Sequence, residues 1–402
     1  MSKLLIDVGS TYFKVCEQSG ISQHFRDFKK DIYDDLISKC GDVFKAYTKE
    51  DIFICSSANG GLSTLIIGLT NSFSLKFAKN IAYNSGINII DTILYSKIEE
   101  SKAPGELIDV VIVVGGIDGI SKVFDEKLLS YLKKVQYSNI VYVGTTQDAA
   151  YLKEHLPNLK VLENIITHKL HVNEGELKEY LTNLYQADIV GKEDIKHLYE
   201  ITANQIYSTP YIVNRSLPFI DANFDVVNPF IVVDIGGATT DIHYSRDLVR
   251  DNIVSESGYD RLVFKKLGVF KSRETLIFAA KNNEFVYELL AYLNVTEDIL
   301  EEQSEKSLRI LMQLSIFLVL YKVSRLHPLY ITLQLELLKT IVLTGGITKV
   351  LCFEEVEMIM SFFYKKVMNI HAIPTIVMDY EYAIWTLGMQ NTTELQGVKN
   401  VH

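Results

Sequence analysis

The stretch FIVVDIGGATTDIHYS, residues 230–245, constrains the fold more than any other part of the chain. An apolar strand runs into an aspartate and two glycines, and a second strand starts within a few residues. The N-terminus repeats that plan. Between LLIDVGSTYFKVC (4–16) and IVVDIGGATTDIH (231–243), Asp7 falls on Asp234, Gly9 on Gly236 and Val15 on Ile242. Each copy reads strand, Asp, apolar residue, Gly, polar turn, strand. Two such copies half a chain apart point to a duplicated supersecondary unit.

A single hairpin of this kind says little, because tight turns favour Gly, Ser and Asp for their own sake. Two matching copies say more. A third glycine pair, Gly345 and Gly346, follows the strand TIVLT and opens a helix. Glycine lets backbone N–H groups approach a phosphate and form an anion-binding nest. The facing turns are therefore expected to grip a triphosphate through Gly9, Ser10, Thr11 and Lys14 on one side. Gly236, Gly237, Thr239 and Thr240 would grip it from the other, and Gly345 and Gly346 would lie against adenine or ribose. Asp7 and Asp234 are the candidate Mg²⁺ ligands, acting through water because Mg²⁺ keeps several of its waters. With Asp241, which would orient water or metal, they are the candidate catalytic acids.

The 402 residues are 48% hydrophobic and 22% charged, which fits a globular chain of two or three domains. A net charge of −10 argues against a nucleic-acid binder, which needs a basic face, but not against a nucleotide ligand. Cys16, Cys40, Cys55 and Cys352 form no CxxC pair and read as reduced core residues, in line with a cytoplasmic location. No signal-peptide pattern is evident, and no membrane association is expected. LRILMQLSIFLVLYKV (308–323) contains Arg309, Gln313 and Lys322 and reads as a buried helix rather than a span. His243 on the second hairpin could face the cleft but reads more readily as a strand histidine on a solvent face, and the other histidines lack ligand spacing.

From about residue 88 the texture becomes alternating strand and helix, the mark of a parallel α/β sheet. The expected division is a first lobe of 1–87, 167–215 and 375–402, an inserted βαβ subdomain of 88–166, and a second lobe of 216–374. Within the insert, Gly115, Gly116, Asp118 and Gly119 sit at a strand end, suited to a second ligand or to a partner-mating turn. Asn59, Gly60 and Gly61 would line the cleft or merely turn the chain. EGELKEYLTNLY (174–185) and IKHLYEITANQIY (195–207) read as amphipathic helices, and Ala383 and Gly388 offer close helix packing.

The order of these elements resembles the actin, heat-shock-chaperone and sugar-kinase superfamily. That resemblance implies an actin-like, ribonuclease H-like two-lobed ATPase fold around an ATP cleft. IKHLYEITANQIY and YEYAIWTLGM would be its connecting helices, with Glu200 and Gln205 the candidates to position a water. A narrower resemblance rests on SSANGGLSTLIIGL, DVVIVVGGIDG, VYVG, VLENI, VVDIGGATTDIH, TGGI and DYEYA in this order. Together they are similar to MutL, the glutamate-mutase accessory family, which is unrelated to the mismatch-repair protein of that name. The resemblance implies an ATP- and Mg²⁺-dependent chaperone-like factor that exchanges damaged cobalamin in an adenosylcobalamin-dependent mutase or aminomutase. It carries the first phosphate loop onto Asp7, Gly9, Ser10, Thr11 and Lys14, and the second onto Asp234, Gly236, Gly237, Thr239, Thr240 and Asp241. Gly345 and Gly346 would face the adenosine. RLVFKKLGV (261–269) departs from the family pattern: Arg261, Leu267 and Gly268 match, whereas Phe264, Lys265 and Lys266 replace Glu, Gly and Asp. Altered turnover or a different client would follow. The alternatives are a filament-forming actin-like ATPase and, ranked last, a small-molecule kinase; a homo-oligomer is among the expected partners.

Overall fold

Among the described residues, three five-stranded sheets organise the chain. The computed structural model describes residues 3–57, 62–85, 87–117, 122–169, 171–191, 193–249, 258–264, 267–325 and 333–399. In chain order the strands are β1 (Leu4–Val8), β2 (Tyr12–Glu17), β3 (Gly20–Phe25) and β4 (Ile52–Ser56), then β5 (Ser63–Gly68), β6 (Asn88–Leu94), β7 (Ile108–Gly115), β8 (Tyr137–Gly144) and β9 (Leu159–Val161). After β10 (Tyr207–Ser208) come β11 (Phe230–Ile235), β12 (Thr240–Ser245), β13 (Tyr259–Phe264), β14 (Thr340–Gly345) and β15 (Thr375–Met378).

The first sheet has the order β10-β4-β1-β2-β3 and the second β13-β12-β11-β14-β15. They are one design used twice. β1 pairs antiparallel with β2 and parallel with β4, as β11 does with β12 and β14. The duplication legible in two short strings thus extends to whole sheets, and it gives the actin-like, ribonuclease H-like two-lobed fold. Each lobe's first three strands form a meander, which two-residue alternation and tight turns encode locally.

The third sheet is all parallel, in the order β6-β5-β7-β8-β9. Its strands are continuous apolar runs because both faces are covered. Alternate residues go opposite ways. Ile66, Val110, Ile112 and Val141 join the core shared with Leu4, Ile6 and Val8 of the first lobe, whereas Leu65, Val111, Val113 and Tyr142 form the subdomain's own core.

Several boundaries differ from expectation. The inserted sheet includes Ser63–Gly68, so it begins well before residue 88. β15 pairs with β14, so Thr375–Met378 belongs to the second sheet rather than to the first lobe. The helix expected over 195–207 stops at Glu200. There the Thr202 hydroxyl donates to the Ile52 carbonyl at 2.5 Å and the Asn204 amide to the same oxygen at 2.9 Å, a polar turn that competes with further helix. The helix that packs between the lobes is Thr209–Ser216, with Ser208 as its N-cap. It lies against the C-terminal helix Ala383–Lys399, and a side chain on Gly388 would collide with the Ile212 carbonyl. Around that crossing, Leu5, Phe53, Ile212, Phe230, Val342 and Trp385 form a core common to both sheets. Helix Glu305–Ser324 is long and apolar enough to cross a bilayer by length and composition, yet 72% of its most apolar window is buried. It is a core helix of the second lobe.

Cys40 and Cys55 are buried as expected, but Cys16 is only half-buried and Cys352 is exposed at a helix N-cap. Asn59–Gly61, Asp118, Gly119, Lys265 and Lys266 lie outside the described residues. Gly115 and Gly116 have positive φ and pack on Leu69 and Thr145, a crowded turn whose glycines are needed for the approach.

Candidate functional site

The two hairpin turns meet. Asp7, Gly9, Ser10, Thr11 and Lys14 from the first, and Asp234, Gly236, Gly237, Thr239 and Asp241 from the second, line one cavity of about 370 Å³ together with Gly345 and Gly346. That volume suits a small-molecule ligand. The turns close identically: the Gly9 amide donates to the Tyr12 carbonyl at 3.0 Å and the Gly236 amide to the Thr239 carbonyl at 2.9 Å. A Cβ on Gly9 would stand 2.7 Å from the Tyr12 oxygen, so the first turn needs its glycine. A Cβ on Gly237 would strike the Thr11 hydroxyl, which shows how near the tips of the two turns come.

The two acids have opposite surroundings. Strand register sets Asp7 across from Lys14, and the Lys14 ammonium donates to Asp7 Oδ2 at 3.0 Å. Asp7 Oδ1 accepts from the Thr209 hydroxyl at 2.7 Å and from the Cys55 thiol at 3.5 Å. Burial, then the Asp7 charge, raises the Cys55 thiol well above its usual value, so it stays protonated as a donor. In the second copy the same register sets Asp234 across from another acid, Asp241. Among the described residues no side chain donates a hydrogen bond to Asp234. Burial pushes its pKa up to about 7; Lys14 opposes the shift, and Asp241, Asp7 and Asp379 add to it. Asp241 accepts from the Thr239 hydroxyl at 3.2 Å and lies 3.9 Å from Arg261. For Lys14, burial alone would lower the pKa, but attraction to Asp7 and then Asp234 outweighs it and holds the ammonium above the ordinary lysine value.

Thr240 does not line the cavity. Strand alternation turns it to the other face, where its hydroxyl donates to the Leu267 carbonyl at 3.1 Å. Glu200 and Gln205 are also absent from the cavity: Glu200 hydrogen-bonds Tyr33, and Gln205 is exposed on the segment where the helix has ended. His243 is fully buried rather than on a solvent face. Gly345 and Gly346 divide their expected task. Gly345 has φ 87°, and a Cβ there would stand 2.5 Å from Asp234 Oδ1 and from the Ile235 carbonyl oxygen. Gly346 has open space in front of it.

The cavity also uses residues that no local motif marks. Leu308, Met312 and Val350 supply an apolar wall beside Gly346. Tyr382 has φ 53°, and its ring lies 4.8 Å from the Lys14 ammonium and 4.9 Å from that of Lys349. Phe25 from the first lobe and Phe270 from the second stand at the mouth with ring centroids 5.9 Å apart, and Phe28 lies against Phe270 at 5.8 Å. Tertiary approach, not local pattern, assembles this set, although the DYEYA string does contain Tyr382.

The family model described as MutL protein matches residues 3–312. The chain belongs to the MutL protein family. Protein MutL of Clostridium tetanomorphum is 27% identical over 271 residues, covering 61% of this chain and 58% of that one. The chain thus spans less than two-thirds of this MutL relative. Among solved structures it is similar to the activator of 2-hydroxyisocaproyl-CoA dehydratase from Clostridium difficile with bound ADPNP (11% identity, TM-score 0.32, 99% of this chain and 97% of that one). It is also similar to acetone carboxylase in a nucleotide-free structure (10% identity, TM-score 0.39, 97% and 70%). Strand order, not these low scores, carries the fold assignment for this MutL family member.

The residues present fit a phosphate-bearing ligand with a dication. The Thr11 hydroxyl is buried without a partner, a donor left for something in the cavity. Gly346 has nothing within 4 Å of where a side chain would stand, which leaves that part of the cavity open. Among the described residues no group of three or more His, Cys, Asp or Glu is placed to hold a metal by itself.

Proposed function

We propose that the chain is an ATP-binding and ATP-hydrolysing accessory protein whose lobes close on a magnesium-bound triphosphate and pass that closure to a protein client. Membership of the MutL family supports an adenosylcobalamin-dependent mutase as that client, with exchange of damaged cobalamin as the task. One observation carries the nucleotide reading: Lys14, on one turn, donates to Asp7 at 3.0 Å and lines one cavity with Asp7 and with Asp234 of the other turn. A partly buried cation between two acids from separate lobes is an arrangement suited to a ligand.

In this reading Gly9, Ser10 and Thr11 face the triphosphate from the first turn and Gly236, Gly237 and Thr239 from the second. Lys14 neutralises phosphate as a point charge. Asp7 and Asp234 hold Mg²⁺ through water, and the ion when bound offsets charge on the phosphate oxygens. Asp241, fixed by Thr239, orients the attacking water. Leu308, Met312 and Val350 take the base beside Gly346. Thr240 has a structural part only. Closure on ATP and opening on ADP would give the client two states to distinguish.

Asp7→Ala and Asp234→Ala should each lower Mg²⁺-dependent ATP turnover by about 100-fold or more, with circular dichroism showing a folded chain. Phosphate release at the wild-type rate from both variants would end the site assignment. Affinity capture of a purified adenosylcobalamin-dependent mutase, with ATP and then with ADP, tests the client. Equal capture in both states, or none, would remove it.

A further inference from the structure

Behind the cleft lies a second polar chamber, of about 80 Å³. It sits where helices Gly175–Gly191 and Thr209–Ser216 meet β13, between the first and second lobes. Its volume is several times what one water needs. Arg261, Lys178, Asn214, Ser208, Tyr185 and Thr182 line it beside Ser85 and Tyr211, and among the described residues no carboxylate does.

Every one of those side chains carries a proton donor. Asn214 Oδ1 lies 3.4 Å from His243 Nδ1, which leaves the amide N–H groups of Asn214 for the chamber. The Ser208 oxygen accepts from the Tyr211 amide at 3.4 Å, which leaves the hydroxyl proton. Burial pushes the Tyr185 phenol up to about 12, with Arg261 opposing and Asp241 and Asp188 adding, so it remains a donor at neutral pH. Arg261 is itself buried, and its 3.9 Å approach to Asp241 makes that pair the wall between chamber and cleft. Two cations, the Asn214 amide and hydroxyls that can turn a proton inward converge here, with Lys178 also 3.9 Å from Glu174. The same lining matches an oxyanion, whose lone pairs only accept.

We propose that this chamber binds a small tetrahedral oxyanion, and that inorganic phosphate is its ligand. The anion site stands on the lining alone. The choice of phosphate rests on the nucleotide reading above, because ATP cleavage at Asp241 would release phosphate on the other side of the Asp241–Arg261 wall.

The test is calorimetric titration of the full chain with inorganic phosphate after the cleft is saturated with Mg²⁺ and a non-hydrolysable ATP analogue. One further phosphate should bind. Lys178→Gln and Asn214→Leu should each weaken it about tenfold, the loss of one hydrogen bond to a charged group. Analogue affinity should not change in either variant; Lys178→Gln should also keep the melting temperature, whereas Asn214→Leu, which removes the partner of buried His243, should lower it. Absence of phosphate binding to the saturated chain, or binding that both variants leave intact, overturns the proposal. Failure of the analogue to bind overturns the nucleotide reading instead, and the same two variants then decide the chamber by phosphate titration without analogue.

Discussion

Asp7 and Asp234 stand at equivalent places in two copies of one sheet, yet only the first is fixed by its own lobe. Lys14, Thr209 and Cys55 all donate to Asp7. Asp234 faces Asp241 where Asp7 faces Lys14, and burial leaves it with a pKa near 7. One strand-register position, occupied by lysine in one copy and aspartate in the other, separates a carboxylate held by three side-chain donors from one to which no described side chain donates. Duplication supplied the scaffold; divergence at the cross-strand partner divided the work.

The sharpest way to break this comparison is at the turns that hold the acids in place. Gly345→Ala would force a Cβ to 2.5 Å from Asp234 Oδ1 at a positive φ. It should cost about 4 kcal/mol in urea denaturation, whereas Gly346→Ala, facing open space, should cost less than about 1 kcal/mol. Equal costs would mean that Gly345 is not wedged against Asp234.

The acids themselves come next, with opposite signs. Asp7→Ala removes the acceptor of three donors and should lose about 3 kcal/mol. Asp234→Asn should instead gain about 2 kcal/mol at pH 8 without nucleotide or metal. The folded pKa of Asp234, about 7, lies above the unfolded carboxylate range. The folded state therefore binds the proton more tightly, and stability falls as pH rises from about 4 through about 7. Asparagine removes that dependence, so the gain should vanish near pH 4. Unfolding measured at both pH values checks it, and a destabilised Asp234→Asn at pH 8 would contradict the difference between the copies.

Much of this was legible locally. Asp, Gly and period-two alternation marked both hairpins, and the third glycine pair marked the turn beneath them. Sheet membership was not legible: LSTLIIG pairs with a strand far along the chain, and TIVM pairs with β14, facts of tertiary approach that no local pattern states. The error at Thr240 was avoidable, because alternation already puts Thr239 and Asp241 on one face and Thr240 on the other. The helix end at Glu200 turned on Thr202 and Asn204 finding the Ile52 carbonyl, an alternative partner invisible in an amphipathic pattern. The cleft's aromatic rim could not be inferred either, since Phe25, Phe28 and Phe270 become neighbours only when the lobes do.

That rim offers the smallest test. Phe270→Ala removes the second lobe's ring from contact with Phe25 and Phe28. Loss of these partly exposed contacts should cost about 1 kcal/mol and speed release of a fluorescent ADP severalfold. An unchanged release rate would show that the copies communicate through their floor alone.

The floor has its own mechanical meaning. At Gly388 the C-terminal helix meets the Ile212 carbonyl of the other crossing helix with no side chain between them. Backbone against backbone leaves nothing to compress, so the crossing behaves as a fulcrum rather than a cushion. A slight tilt of either helix would be delivered to Thr209, and through it to Asp7, with little lost along the way.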